Sequence, residues 1–320
     1  MSDRVPAPPP PGATERLDAG LLARWPLPMP DETGDKETRG RVVVVAGSRT
    51  MPGAAWLAAT AALRAGCGKV VVLTAASVAP ALAMGLPEAR VIGLPETVAG
   101  GFAGDDAASG AVARALDDAL DGDTGAVLVG PGMEDAGATV AAVRSVRRRA
   151  DRHAVPLVLD ALALQALERP DGAAADADRA PLVLTPHAGE MARLSGRAKE
   201  AVCADPLDVA HETARRHGAV VALKGATTWL ADATGRALRH DGGTVGLATA
   251  GSGDVLAGVV AGLLARGAEP LQALAWGVAL HADAGRALAE RIGPLGFLAS
   301  ELPAEIPRAL HRRSQGHSRP

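Results

Sequence analysis

At 320 residues and 48% hydrophobic composition, the chain is long enough for one large α/β domain or two smaller ones with a sizeable core. With no Tyr, two Phe and a formal charge of −3, it lacks the stacking aromatics and positive field of a nucleic-acid binder, and its core must be built from Ala, Val and Leu. Cys67 and Cys203 lie outside any C-x-x-C arrangement, which argues against a disulfide scaffold or zinc site and fits a reducing cytoplasm; no apolar run is long enough to span a bilayer.

Residues 1–34 read as a flexible or extended tail, because Pro6, Pro8 to Pro11, Pro26, Pro28 and Pro30 remove donors and block helix and central strand. Leu21, Leu22 and Trp25 are its residues suited to docking on a domain. The domain itself is placed at 35–312, with 313–320 as a disordered, basic tail. Residues 41–47 form a continuous Val-rich run, as expected of a strand buried on both faces of a parallel sheet. An Ala-rich helix over 53–65, ended by Gly66, leads into a strand at 69–73, completing a βαβ unit.

Further strands are predicted at 90–94, 126–130, 156–160, 182–185 and 219–223, with helices over 139–151 and 208–217. A hairpin follows, with arms 228–231 and 236–239. Val255, Leu256, Val259, Val260, Leu263 and Leu264 recur at helical spacing, and a last helix is predicted over 271–291. The alternation predicts a single α/β domain: a doubly wound, mostly parallel sheet with helices on both faces.

Such sheets bind ligands beyond the carboxyl ends of their strands, where Gly130-Pro131-Gly132, Asp160 and Thr185-Pro186-His187 fall. His187 suits either a ligand contact or a helix cap, whereas Glu190 reads as a first-turn complement to the helix dipole. Lys224 and Gly225 follow a buried strand and suit a phosphate, or else open an ordinary hairpin. Gly251, Ser252 and Gly253 precede a helix whose unpaired N–H groups form a place for an anion; Asp254 there is favoured in its ionised form and placed to accept a proton. The competing reading is that Ser252 or Asp254 only caps the helix. No G-x-G-x-x-G, P-loop, G-x-S-x-G or metal-spaced histidine motif is present.

Taken together, Val45-Ala46-Gly47-Ser48 with Met51-Pro52-Gly53-Ala54-Ala55, then Ala61-Ala62-Leu63-Arg64-Ala65-Gly66, Leu86-Pro87-Glu88, Val129-Gly130-Pro131-Gly132, Leu184-Thr185-Pro186-His187 with Gly189-Glu190, Leu223-Lys224-Gly225-Ala226, and Leu247-Ala248-Thr249 through Asp254-Val255-Leu256-Ala257-Gly258 resemble, in order, the ADP- or ATP-dependent NAD(P)H-hydrate dehydratases of the ribokinase-like superfamily. The resemblance covers about residues 35 to 310. It implies ADP-dependent conversion of (6S)-NAD(P)H hydrate to NAD(P)H, with ADP or ATP as co-substrate and Mg2+. Ala54, Gly132, His187 and Asp254 would contact the hydrate, whereas Lys224, Gly225, Ala226, Thr227, Thr228 and Gly253 would contact the nucleotide. Asp254 would be the base, with the N–H groups of Gly251, Ser252 and Gly253 as the anion hole. A homo-oligomer, a tetramer in many members, and a separate hydrate epimerase are also implied.

The chain departs from the family pattern in four places. Leu162 and Gln165 replace a usual acid and Asn, Met133-Glu134 replaces a glycine pair, Ala250 a glycine and Val245 a proline. The altered segment after Asp160 motivates a catalytically impaired nucleotide-binding regulator as one alternative; a small-alcohol kinase of the hydroxyethylthiazole or hydroxymethylpyrimidine kinase type is the other.

Overall fold

The computed structural model describes residues 14–29, 36, 38–102, 110–168 and 179–315. In chain order the strands are β1 (Thr14–Arg16), β2 (Arg41–Val45), β3 (Lys69–Ala75), β4 (Ala89–Leu94), β5 (Thr124–Val129), β6 (Leu157–Leu159), β7 (Leu182–Leu184), β8 (Ala219–Leu223), β9 (Thr228–Ala231) and β10 (Ala237–His240). The helices are α1 (Ala19–Arg24), α2 (Pro52–Arg64), α3 (Ala79–Gly85), α4 (Ala111–Ala119), α5 (Ala136–His153), α6 (Ala188–Ser195), α7 (Lys199–Ala204), α8 (Pro206–His217), α9 (Ser252–Ala265), α10 (Pro270–Arg291) and α11 (Leu302–Gln315). All strands join one sheet in the order β1-β10-β9-β8-β7-β6-β5-β2-β3-β4. Pairing is parallel except around β9, which runs antiparallel to both β8 and β10.

Alternation along β2 shows how a Val run serves two cores. Val42 and Val44 face one layer with α2, α9 and α10, while Val43 and Val45 face the other with α4, α5 and α8. Small residues let α9 press closely on α2: a Cβ on Gly258 would lie 2.2 Å from the Ala58 carbonyl oxygen. That approach sets the start of α9 beside the start of α2. No helix among the described residues is long and apolar enough to cross a membrane.

The expected flexible tail is corrected by the structure where it is described. β1 extends the sheet beside β10, and Asp18 caps α1 by accepting from Leu21 N at 2.9 Å. Leu21, Leu22, Trp25 and Leu27 are buried, and the Trp25 carbonyl accepts from Trp276 Nε1 at 2.8 Å. Arg236 covers the Trp25 ring at 4.3 Å. Proline density was a poor guide because apolar anchors lie between the prolines and find a sheet edge that a sequence does not reveal. Prolines 6, 8–11 and 30, and the expected domain start at 35, lie outside the described residues. At the other end, α11 continues past 312 to Gln315, with Arg313 paired to Asp283, so only 316–320 of the expected C-terminal tail remain, outside the described residues.

Leu22 is 1% exposed. Leu22→Ala is expected to cost about 2–5 kcal/mol, read as a lowered denaturation midpoint; an unchanged midpoint would return this segment to the status of a tail.

Candidate active site

The carboxyl ends of β2, β5, β6, β7 and β8 converge beside the start of α9. After β5 the chain turns at Gly130, whose φ of +126° suits glycine and whose Cβ, if present, would lie 1.9 Å from the Asp160 carbonyl oxygen. Gly132 packs on α2, where its Cβ would meet that of Ala54 at 2.6 Å. Two of the four residues expected to contact the hydrate are therefore neighbours. Glu134, standing where a family glycine is usual, accepts from Ser48 Oγ at 2.5 Å and from Thr50 Oγ1, tying down the loop between β2 and α2.

Asp160 follows β6 directly and is 2% exposed. Its Oδ1 accepts from Thr185 Oγ1 at 2.7 Å and from Lys224 Nζ at 2.9 Å. Glu190 Oε2 lies 4.0 Å from the same ammonium. Burial alone would push the Lys224 ammonium toward neutrality, but Asp160, Glu190 and Asp254 outweigh it and hold it charged. The sequence does not show this pairing, since strand order is what sets β6 and β8 on either side of β7. Leu162 packs against the core in the 3-10 turn Ala161–Leu167, so that turn leaves Asp160 as the carboxylate of this strand end.

His187 is the N-cap of α6. Its Nδ1 accepts from Gly189 N at 2.9 Å and Glu190 N at 3.2 Å, while Glu190 accepts from His187 N at 2.8 Å in a reciprocal capping box. The capping reading is thus realised, yet the ring stays 57% exposed and lines a cavity of about 680 Å³. Lys224, Gly225, Ala226, Thr228, Ser252 and Gly253 line the same cavity. Thr227 instead turns its hydroxyl to Asp241 at 2.9 Å. His240 and His281, not singled out in the sequence, also line the cavity; a lone histidine amid the apolar residues of a predicted helix was the one available signal for His281.

α9 begins after Gly251, which has φ +87° and supplies no side-chain cap, so neither Ser252 nor Asp254 caps the helix. Ser252 N donates to Thr249 O at 3.3 Å, leaving the next first-turn N–H groups without a carbonyl one turn back. A Cβ on Gly253 would lie 3.3 Å from Lys224 Nζ. Positive charge and helix start therefore meet at one point.

The expectation that Asp254 is favoured in its ionised form is overturned. Burial and the carboxylates of Asp160 and Glu190 push its carboxyl from the usual 3.8 up to about 7, with Lys224 opposing them. The helix start is too weak to offset lost water and two like charges. Among the described residues no group of three or more His, Cys, Asp or Glu could hold a metal ion by itself.

Because Asp160 is buried, Lys224→Met should leave an uncompensated carboxylate and lower stability by about 3–5 kcal/mol at neutral pH. Urea unfolding measures this; an unchanged midpoint would show the pair to be structurally idle.

A family model described as NAD(P)H-hydrate dehydratase matches residues 42–308. An ADP-dependent (S)-NAD(P)H-hydrate dehydratase of Xanthomonas campestris is 48% identical over 301 residues, covering 94% of this chain and 97% of that protein. A bifunctional NAD(P)H-hydrate repair enzyme of Moorella thermoacetica is 40% identical; the match covers 93% of this chain and 55% of that protein, so the chain spans about half that relative's length. The solved structure of the ADP/ATP-dependent NAD(P)H-hydrate dehydratase of Bacillus subtilis, co-crystallised with ATP and Mg2+, matches with a TM-score of 0.78 at 28% identity, covering 94% of this chain and 99% of that one. With its sheet order, its strand-end residues and these matches in agreement, the chain belongs to the NAD(P)H-hydrate dehydratase family of the ribokinase-like fold.

Proposed function

We propose that this protein catalyses the ADP-dependent dehydration of (6S)-NAD(P)H hydrate to NAD(P)H, giving AMP and phosphate. The observation that carries this reading is the carboxyl of Asp254, raised to about 7 at an uncapped helix start beside Lys224. A base of that strength gains and loses a proton near neutral pH.

ADP occupies the cavity lined by Lys224 to Ala226, Thr228 and Gly253, and the hydrate lies toward Ala54, Gly132 and His187. Asp254 takes the proton of the ring hydroxyl as its oxygen bonds to the terminal phosphorus of ADP. The phosphoanhydride bond breaks and AMP leaves. The ring nitrogen's lone pair then expels phosphate from carbon, and loss of a ring proton restores the double bond. Chain positions 251–253 and Lys224 serve the phosphoryl charge; since Ser252 N already donates to Thr249 O, Gly253 is the better-placed donor.

Mg2+ fits here as an ion brought by the nucleotide. The side chains near Lys224 include the hard oxygen donors Asp160, Glu190 and Asp254, without a three-donor cage, and Mg2+ on phosphates needs one or two protein carboxylates. When bound it neutralises phosphate charge. The resemblance also carries a homotetramer, and the two isolated cysteines a cytoplasmic location, as proposals testable by sedimentation and fractionation.

Purified protein incubated with hydrated NADH, Mg2+ and either ADP or ATP should regain dihydronicotinamide absorbance. No recovery with either nucleotide would sink the reading, and a stable phosphate ester without that absorbance would mark a small-alcohol kinase instead.

For wild type, kcat/KM should rise with pH through about 7 and then level, because Asp254 must be ionised to act. Asp254→Asn should lose roughly 10²–10⁴ in kcat and the ascending limb with it. The stability effect has the opposite sign. A carboxyl raised from 3.8 to about 7 carries no penalty below 3.8 and the full penalty above 7, so Asp254→Asn should melt higher than wild type at pH above about 7 and alike at low pH. Near-normal turnover in Asp254→Asn would remove the base assignment.

A further inference from the structure

His281 lies mid-way along α10 and is 9% exposed; Ser252, the first residue of α9, is 3% exposed. Ser252 Oγ and His281 Nε2 are 3.0 Å apart, and both residues line the cavity assigned above to the nucleotide. No step of the proposed reaction uses the imidazole. Burial, opposed by Ser252 and aided by Lys224, pushes its pKa down to about 4, so the ring stays neutral at working pH.

A serine at the start of a helix has a local alternative. Its hydroxyl can accept from an N–H two or three residues ahead, closing a turn on itself. At this helix that would occupy Asp254 N or Val255 N. Val255 N already donates to Gly251 O at 3.2 Å, so the N–H at risk is that of Asp254, next to Gly253. Gly251 has no side chain to cap the helix in its place. What decides whether the first turn stays open is where the Ser252 hydroxyl points, and it points to His281.

We propose that His281 is a positioning residue for the phosphate site: by holding the Ser252 hydroxyl, it keeps that hydroxyl off the Asp254 N–H in the first turn of α9 and leaves that donor, beside Gly253, to the nucleotide. This rests on the nucleotide reading of the cavity. It differs from a packing role in one respect: removing the hydroxyl should remove the need for the histidine.

The test is a double-mutant cycle on the full chain, with ADP as probe, reading its affinity by calorimetry and kcat/KM for ADP and for hydrate separately. His281→Ala should weaken ADP on the order of tenfold, the scale of one hydrogen bond to be broken, and spare KM for hydrate. Ser252→Ala with His281→Ala should bind ADP as Ser252→Ala alone does. If the double variant loses the full His281→Ala factor on top of Ser252→Ala, or if His281→Ala binds ADP like wild type, the proposal fails. Should His281→Ala not fold, His281→Phe, which keeps a ring without nitrogen, takes its place with the same two outcomes. Wild type that binds no ADP would remove the nucleotide reading itself, a result separable from additivity in the cycle.

Discussion

The ammonium of Lys224 is the charge on which the rest of the site depends. It lies 2.9 Å from Asp160, 4.0 Å from Glu190 and beside the first turn of α9, where Asp254 stands. Three carboxylates around one ammonium leave an excess of negative charge, and the helix start, equivalent to about half a charge, does not remove it. Asp254 is the group that yields, with its carboxyl raised to about 7. On the function proposed above, an incoming phosphate would meet a cation and open N–H donors, with Asp254 beside it as the proposed base, poised to exchange a proton.

The scaffold that holds this arrangement is made of small residues. With few aromatics, the packing comes from Ala, Val and Leu, and α9 can lie against α2 at backbone distance along Gly258. That contact aligns two helix starts, one bearing Ala54 and the other Gly253 and Asp254, over the ends of parallel strands. The N-terminal segment adds a strand on the β10 edge and ties Trp25 to α10 through Trp276. It thereby braces the helix that carries His281.

Much of this was legible along the chain. The β2 Val run, the Gly-bounded βαβ unit and the periodicity of α9 follow from local rules of burial and turn chemistry, and they sufficed for the sheet type. Seven motifs in order pointed to the family and to Lys224, Gly253 and Asp254. The short helix α7, by contrast, carries only a turn or two of pattern and reads as loop along the chain. In the segment holding β1 and α1, proline density points to a tail, because the β10 edge on which it docks is invisible along the chain.

The sequence by itself determined which residues are small, apolar or charged, and so the layers of the fold and the chemical types available at its strand ends. Only the tertiary structure decided their states. That Asp160 binds Lys224 across β7, that His187 both caps α6 and lines the cavity, and that His281 reaches Ser252 from another helix all depend on contacts between distant segments. The same holds for Asp254: a helix start read locally favours its ionised form, whereas burial and two carboxylates brought from β6 and α6 reverse that preference, because desolvation and close like charges exceed the field of a helix dipole.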